Sequence, residues 1–212
     1  MEETLRKIEK EVKRYLDRKD KIREESLKTC REIVRLASEV IKDVHRYRWQ
    51  EANRRLQGVT RLLKKTQQAL ETEPDLRYAG FVTMAEKEYA EAAITLAVLG
   101  EKRLPPPEEL GVPAPEYLNG MAEAIGELRR HLLDRLRKEE LAEAERILSV
   151  MDNFYYFLFS LDYPDAILRG LRRMVDNDRA ILERTRADLT NALLQENLRQ
   201  QMLRVEKRMK KR

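Results

Sequence analysis

Helix breakers are confined to a few places in this chain, and that confinement leaves it little to fold into except long helices. Residues 1 to about 47 contain neither Gly nor Pro, while five of the seven prolines crowd into KRLPPPEELGVPAPE, residues 102–116. A proline ring removes a backbone donor and clashes with the preceding turn, so helices stop where prolines cluster and run on where they are missing. Aromatic residues are only 6% of the chain, and Leu, Ala, Glu, Arg and Lys dominate, which favours helices over strands.

The periodicity fills in the segments. Ile33, Leu36, Ala37, Val40, Ile41 and Val44 share one helical face of a long first helix. A second helix runs from Tyr47 to near Glu71, and Leu76 to Leu99 is apolar on nearly every side, the mark of a buried central helix, with Gly100 as its C-terminal cap. After the proline-rich loop, Pro115 to Lys138 and Leu141 to Leu161 read as two antiparallel helices, and Pro164 opens a last one reaching about Arg204. The expectation is an all-α, single-domain bundle of about seven helices spanning residues 1–212. Residues 1–24, charged and thinly apolar, form an extension that projects or packs on a partner, and 205–212, VEKRMKKR, form a frayed basic tail.

Charged residues make up 38% of the chain, yet Lys+Arg 43 against Asp+Glu 38 leaves a net charge of only +5. That surplus permits a polyanionic partner without requiring one. The single cysteine, Cys30, excludes an internal disulfide and fits a reducing compartment. No apolar run is long enough to span a bilayer, and the N-terminus is charged from its second residue, so a cytoplasmic protein without membrane contact is expected.

The chemistry concentrates in FVTMAEKEYAEAAITLAVL, where Glu86, Lys87, Glu88 and Glu91 interrupt an otherwise apolar helix. At about 100° per residue Glu88 shares a face with Phe81, Ala85, Ala92 and Leu99, which points it toward the core, and Glu91 lies one turn on. Carboxylates there require a cation: a divalent metal, or Lys87 or an arginine from a neighbouring helix. Glu123 and Glu127, spaced i, i+4, form a second pair on the flank of a helix that Gly120 and Ala124 keep narrow. If the central helix packs there, four carboxylates converge, an all-oxygen set suited to Mg²⁺ or Mn²⁺ rather than zinc. The two histidines, His45 and His131, stand outside any Glu-x-x-His pattern and read as surface or capping residues. No P-loop, dinucleotide fingerprint or nucleophile elbow is present.

Arg46, Arg48, Arg54, Arg55, Arg61, Lys64 and Lys65 are the candidates for phosphate contact, with Tyr47 and Trp49 able to stack on unpaired bases. Solvated or paired charges, and a tryptophan that anchors the core, are the structural alternative.

Three segments resemble the translin family. REIVRLASEVIKDVHR (Arg31 to Arg46) is similar to the first-helix pattern of translin. EYAEA (Glu88 to Ala92) is similar to the Glu-Tyr-x-Glu-Ala element of translin-associated factor X, the nuclease subunit, and PEYLNGMAEAIGELRR (Pro115 to Arg130) to its Asp-Tyr-Leu-x-Gly segment. The likeness covers roughly residues 25–195. In the nuclease subunit the acidic residues fall at positions matching Glu88, Glu91, Glu123 and Glu127; translin itself lacks the first pair, so the resemblance favours the catalytic branch. Glu123 departs from the family, which has Asp there, and the connection before Pro115 is shorter than in larger relatives.

The resemblance implies an octameric helical shell enclosing RNA, here a homo-oligomer because one chain carries all four carboxylates, or one joined by a second translin-like subunit. It further implies a Mg²⁺-dependent endoribonuclease cutting single-stranded RNA, with Glu88, Glu91, Glu123 and Glu127 as metal ligands and Glu127 as proton acceptor. The alternatives are a non-catalytic single-stranded RNA or DNA binder, an all-α Mg²⁺-dependent nucleotide pyrophosphatase, and a purely structural subunit.

Overall fold

The computed structural model describes residues 1–210; Lys211 and Arg212, the end of the basic tail, lie outside the described residues. Among the described residues there are nine helices and no strand: α1 (Glu2–His45), α2 (Trp49–Ala69), α3 (Pro74–Arg77), α4 (Gly80–Leu99), α5 (Pro107–Leu110), α6 (Ala114–Leu136), α7 (Leu141–Phe159), α8 (Asp165–Leu168) and α9 (Leu171–Met209). Six are long and three are single turns that open on or just after Pro74, Pro107 and Pro164. None of the described helices is long and apolar enough to cross a membrane.

Three boundaries differ from the sequence expectation: the central helix α4 starts at Gly80, with Leu76 in the separate turn α3, and the other two lie at the ends of α9. The last helix does not run from Pro164: α8 stops at Leu168, and Arg169 (φ 53°) and Gly170 (φ 89°) are both left-handed before α9 begins. Two consecutive residues in that region break the helical ladder, and Gly170 adopts it without a steric cost. At its other end α9 stays helical to Met209, through most of the segment expected to fray. Gly100 does follow α4, but with φ −88° it is no left-handed cap; a Cβ there would sit 2.8 Å from the Leu96 carbonyl oxygen.

The chain divides into two compact units, Met1–Gly120 and Met121–Arg212, with the division inside the unbroken helix α6. In the first unit α1, α2 and α4 pack against one another. Ile33, Ala37, Val40 and Val44 of α1 are sealed against Ala52, Val59 and Leu63 of α2 and Val82, Ala85 and Ile94 of α4. Residues 1–18 are exposed on all sides. Burial starts where Arg18 and Lys19 reach the α2–α3 turn: Arg18 Nη2 donates to Glu73 at 2.8 Å, and Lys19 Nζ stands 2.6 Å from Asp75. Cys30 is 1% exposed, and burial, aided by the negative charge of Glu86, pushes its thiol up to about 11, so it behaves as a small apolar side chain.

Glu88 was expected on the core side of α4, but the carboxylate with no exposure is Glu86; Glu88 is half-buried. Glu86 lies on a buried stripe with Val82, Ala90 and Ala93, about 160° around the helix from Glu88, while Ala85, Ala92 and Leu99 on the Glu88 side are buried as well. Glu86 Oε1 accepts from Gln67 Nε2 (2.7 Å) and pairs with Arg77 Nη2 (2.8 Å). Burial nonetheless raises its pKa, with Gln67 and Arg77 pulling the other way. Removing one partner of such a pair strands the other, so Glu86→Ala is expected to cost about 3–5 kcal/mol in urea unfolding, with Glu86→Gln, which keeps hydrogen-bonding capacity, well below that.

In the second unit α7 and α9 pack together, and α9 buries a stripe at heptad spacing: Leu171, Val175, Asp178, Leu182, Thr185 and Leu189. Arg129 of α6 joins them, donating to the Ile181 carbonyl (3.2 Å), Thr185 Oγ1 (2.9 Å) and Asp188 Oδ2 (3.0 Å). His131, expected at the surface or as a cap, is only 4% exposed, with its Nε2 3.9 Å from Glu143 of α7. It lies on the α6 face that carries Leu128 and Leu132, and that face is core.

Candidate metal centre

Helix α4 owes its position to small residues: Ala85, Ala90, Ala92, Ala93 and Ala97 are all buried and let neighbouring backbones come close. The closest approach is at Gly120 of α6. A Cβ on Gly120 would lie 2.7 Å from the Lys87 carbonyl oxygen, 2.8 Å from the Glu91 nitrogen and 2.9 Å from the Ala90 Cβ. Only glycine fits there, and the backbones of α4 and α6 touch beside the EKEYAE segment.

That contact sets the neighbourhood of the carboxylates. Glu88 and Glu91 lie one turn apart on α4, both half-buried, and Lys87 Nζ is 3.6 Å from Glu88 Oε1. Glu123 follows Gly120 by one turn of the same helix. One carboxylate oxygen from each of Glu88, Glu91 and Glu123 lies within 4.8 Å of the others. Glu127, one turn further and also half-buried, falls outside that group and stands 3.8 Å from Arg130.

The donor set is all oxygen, which a hard cation prefers. The span also suits one: opposite oxygens around an octahedral Mg²⁺ are about 4.2 Å apart, so a modest side-chain rotation closes 4.8 Å onto an ion. Half-burial leaves these oxygens reachable from solvent while weakening the competition of water for the charge.

A further carboxylate lies near Glu123 and was not anticipated. Asp178 of α9 is 5% exposed, and burial, followed by the negative charge of Glu123, pushes its pKa up to about 7. Its sequence signal was an acid at a core position of a Leu171–Val175–Leu182–Leu189 stripe, visible only once the heptad phase of that helix is fixed.

The basic candidates separate into two kinds. Arg46, Arg48, Arg54, Arg61, Lys64 and Lys65 are exposed or half-exposed, and Arg54, Arg61 and Lys65 align along one face of α2. Arg55 instead ties α2 to α1 through Glu39 and Asp43, the latter at 3.1 Å. Tyr47, in a left-handed conformation at φ 59°, meets Trp49 edge to face with centroids 5.9 Å apart, and the Trp49 ring reaches the Gly100 turn, as a core anchor does.

Comparison with known proteins places the chain. It is 33% identical over 194 residues to MJ0175, an uncharacterized protein of Methanocaldococcus jannaschii, covering 91% of this chain and 86% of the relative. The solved structure of an AfC3PO–duplex RNA complex matches with TM-score 0.79 and 31% identity, and a crystal structure of AfC3PO with 0.81 and 32%; both cover 87% of this chain and 96% of theirs. Apo-NeC3PO shares the fold at 22% identity, with TM-score 0.77 over 86% of this chain and 96% of that one. No family model matches the chain. The translin resemblance read from the three sequence segments and the match to C3PO structures over most of both chains agree: the chain belongs to the translin family.

Proposed function

We propose that this protein is a Mg²⁺-dependent endoribonuclease that cuts single-stranded RNA inside a homo-oligomeric shell. The observation that carries the reading is the meeting of Glu88, Glu91 and Glu123, three carboxylates on two long helices with oxygens within 4.8 Å. A set of carboxylate oxygens of that span suits a hard divalent cation. A relative 31% identical to this chain has been solved as a complex with duplex RNA, which supports RNA as the ligand class.

In this reading Glu88, Glu91 and Glu123 hold Mg²⁺ or Mn²⁺, with Glu127 completing the set. The ion, when bound, supplies Lewis acidity toward a phosphodiester and makes water a better nucleophile. Glu127, one turn from Glu123 on α6, accepts a proton from the attacking water. Arg54, Arg61 and Lys65 on the outer face of α2 hold phosphates by charge alone, so binding weakens with salt.

The test is purified protein with end-labelled single-stranded and duplex RNA of one sequence, with Mg²⁺ and with EDTA. Shortened single-stranded products that vanish with EDTA support the proposal. Salt-sensitive binding without cleavage makes the protein a non-catalytic binder, and pyrophosphate release from free nucleotides makes it a nucleotide pyrophosphatase.

A further inference from the structure

Helix α1 carries apolar surface along its first turns that its own unit does not cover. Leu5, Ile8, Val12 and Tyr15 recur at spacings of three and four, with Leu16 beside them, and these five side chains are 48–58% exposed. Residues 1–18 hold six basic and five acidic residues, so the solvated flanks of the stripe are almost neutral. A face made for anionic lipid or for phosphate would have lysine and arginine in excess beside it. A balanced flank beside a heptad-spaced stripe is the pattern of a helix that packs on another helix.

The matching surface lies further along the same helix. The spacing continues through Lys19, which is drawn off toward Asp75, to Ile22, Ser26 and Thr29. There it forms one wall of a groove of about 460 Å³, opposite Leu62, Thr66 and Ala69 of α2. Most of these side chains are small, and Ser26 and Thr66 are buried. Large exposed side chains on the arm and small ones in the groove are complementary halves. They cannot meet within one chain: α1 is unbroken from Glu2 to His45, which sets Leu5 about 36 Å from Thr29 along a continuous axis.

A second copy brings them together. We propose that residues 5–16 of each chain lie in the α1–α2 groove of a second copy, with the two α1 helices antiparallel around a dyad near residue 17. In that register Leu5 faces Thr29, Ile8 faces Ser26 and Val12 faces Ile22 of the other copy, while Tyr15 and Leu16 close the centre. Each copy gives an arm and receives one, so the contact is isologous and closes at two chains. This rests on the homo-oligomer reading above and names one of its interfaces.

The experiment measures the mass of the full-length protein by sedimentation, and interchain cross-linking under mild oxidation for Val12→Cys, Ile22→Cys and the two combined, with the buried Cys30 left in place. The expected result is disulfide-linked dimers from the double variant and from a mixture of the two single variants, with at least about tenfold less from either single variant alone. Leu5→Glu, Ile8→Glu and Val12→Glu together fall on exposed positions, and are expected to keep the helical content while lowering the mass to about half or less. Circular dichroism reports the folding of this triple variant; should it unfold, cross-linking decides. If the parent is an oligomer and the folded triple variant keeps its mass, or Val12→Cys alone cross-links as well as the double variant, the arm exchange falls while the homo-oligomer stands. A triple variant of parental mass that binds single-stranded RNA more weakly assigns the stripe to RNA and also overturns the proposal. A parent that sediments as a single chain overturns both.

Discussion

Replacing Glu91 by glutamine is expected to lower Mg²⁺-dependent RNA cleavage at least about 100-fold while leaving RNA binding within a few-fold of the parent. The amide keeps the shape of the side chain and one carbonyl oxygen but loses the charge that a hard cation requires, and Glu91 contributes one of the three carboxylate oxygens that lie within 4.8 Å of one another among the described residues. Glu123→Gln is expected to act alike, because it removes the contribution of the second helix. The proposed phosphate-binding face on α2 is separate in sequence and carries none of these residues, so filter binding at low salt reports an intact protein alongside lost cleavage in a gel assay. Parental cleavage rates in both variants would show that the acids are structural and the catalytic assignment is wrong.

The second large effect concerns a residue that carries no chemistry. A side chain at position 120 would put its Cβ 2.7 Å from the Lys87 carbonyl and 2.8 Å from the Glu91 nitrogen, both backbone atoms of α4. Neither can swing aside, so the two helices must part. Gly120→Val is expected to destabilise the protein by about 3 kcal/mol or more in chemical denaturation, the upper end of overpacking costs. Gly120→Ala is the more informative variant: a helix shift of about 1 Å under the carboxylates is enough to cost on the order of 100-fold in rate without abolishing the fold. A folded Gly120→Ala protein that cleaves normally would mean that the spacing of α4 and α6 does not govern the chemistry.

How much of this was legible beforehand follows from how local each signal is. The long helices were readable because their determinants, proline and glycine placement and apolar spacing, lie within each segment; α2 and α7 end within two residues of the expected positions. The break at Arg169–Gly170 was not, since Leu168 and Leu171 suit a continuous helix and only the backbone angles reveal the interruption. The pair Glu88 and Glu91 could be singled out because acids are conspicuous in an apolar helix. Which carboxylate is sealed could not, because Glu86 depends on Arg77 and Gln67 arriving from other segments. Asp178 was overlooked for a related reason: α9 is highly charged throughout, and an acid stands out only when its inward face is known. Among the basic residues, Arg55 looks like its neighbours in sequence, and its engagement with Glu39 and Asp43 is a property of the α1–α2 packing alone.

Glu88 and Glu91 stand on a helix seated by buried alanines and by the Gly120 contact. In the proposed reading the cation binds the folded chain and not the unfolded one, so added Mg²⁺ is expected to raise the unfolding temperature as it fills the site.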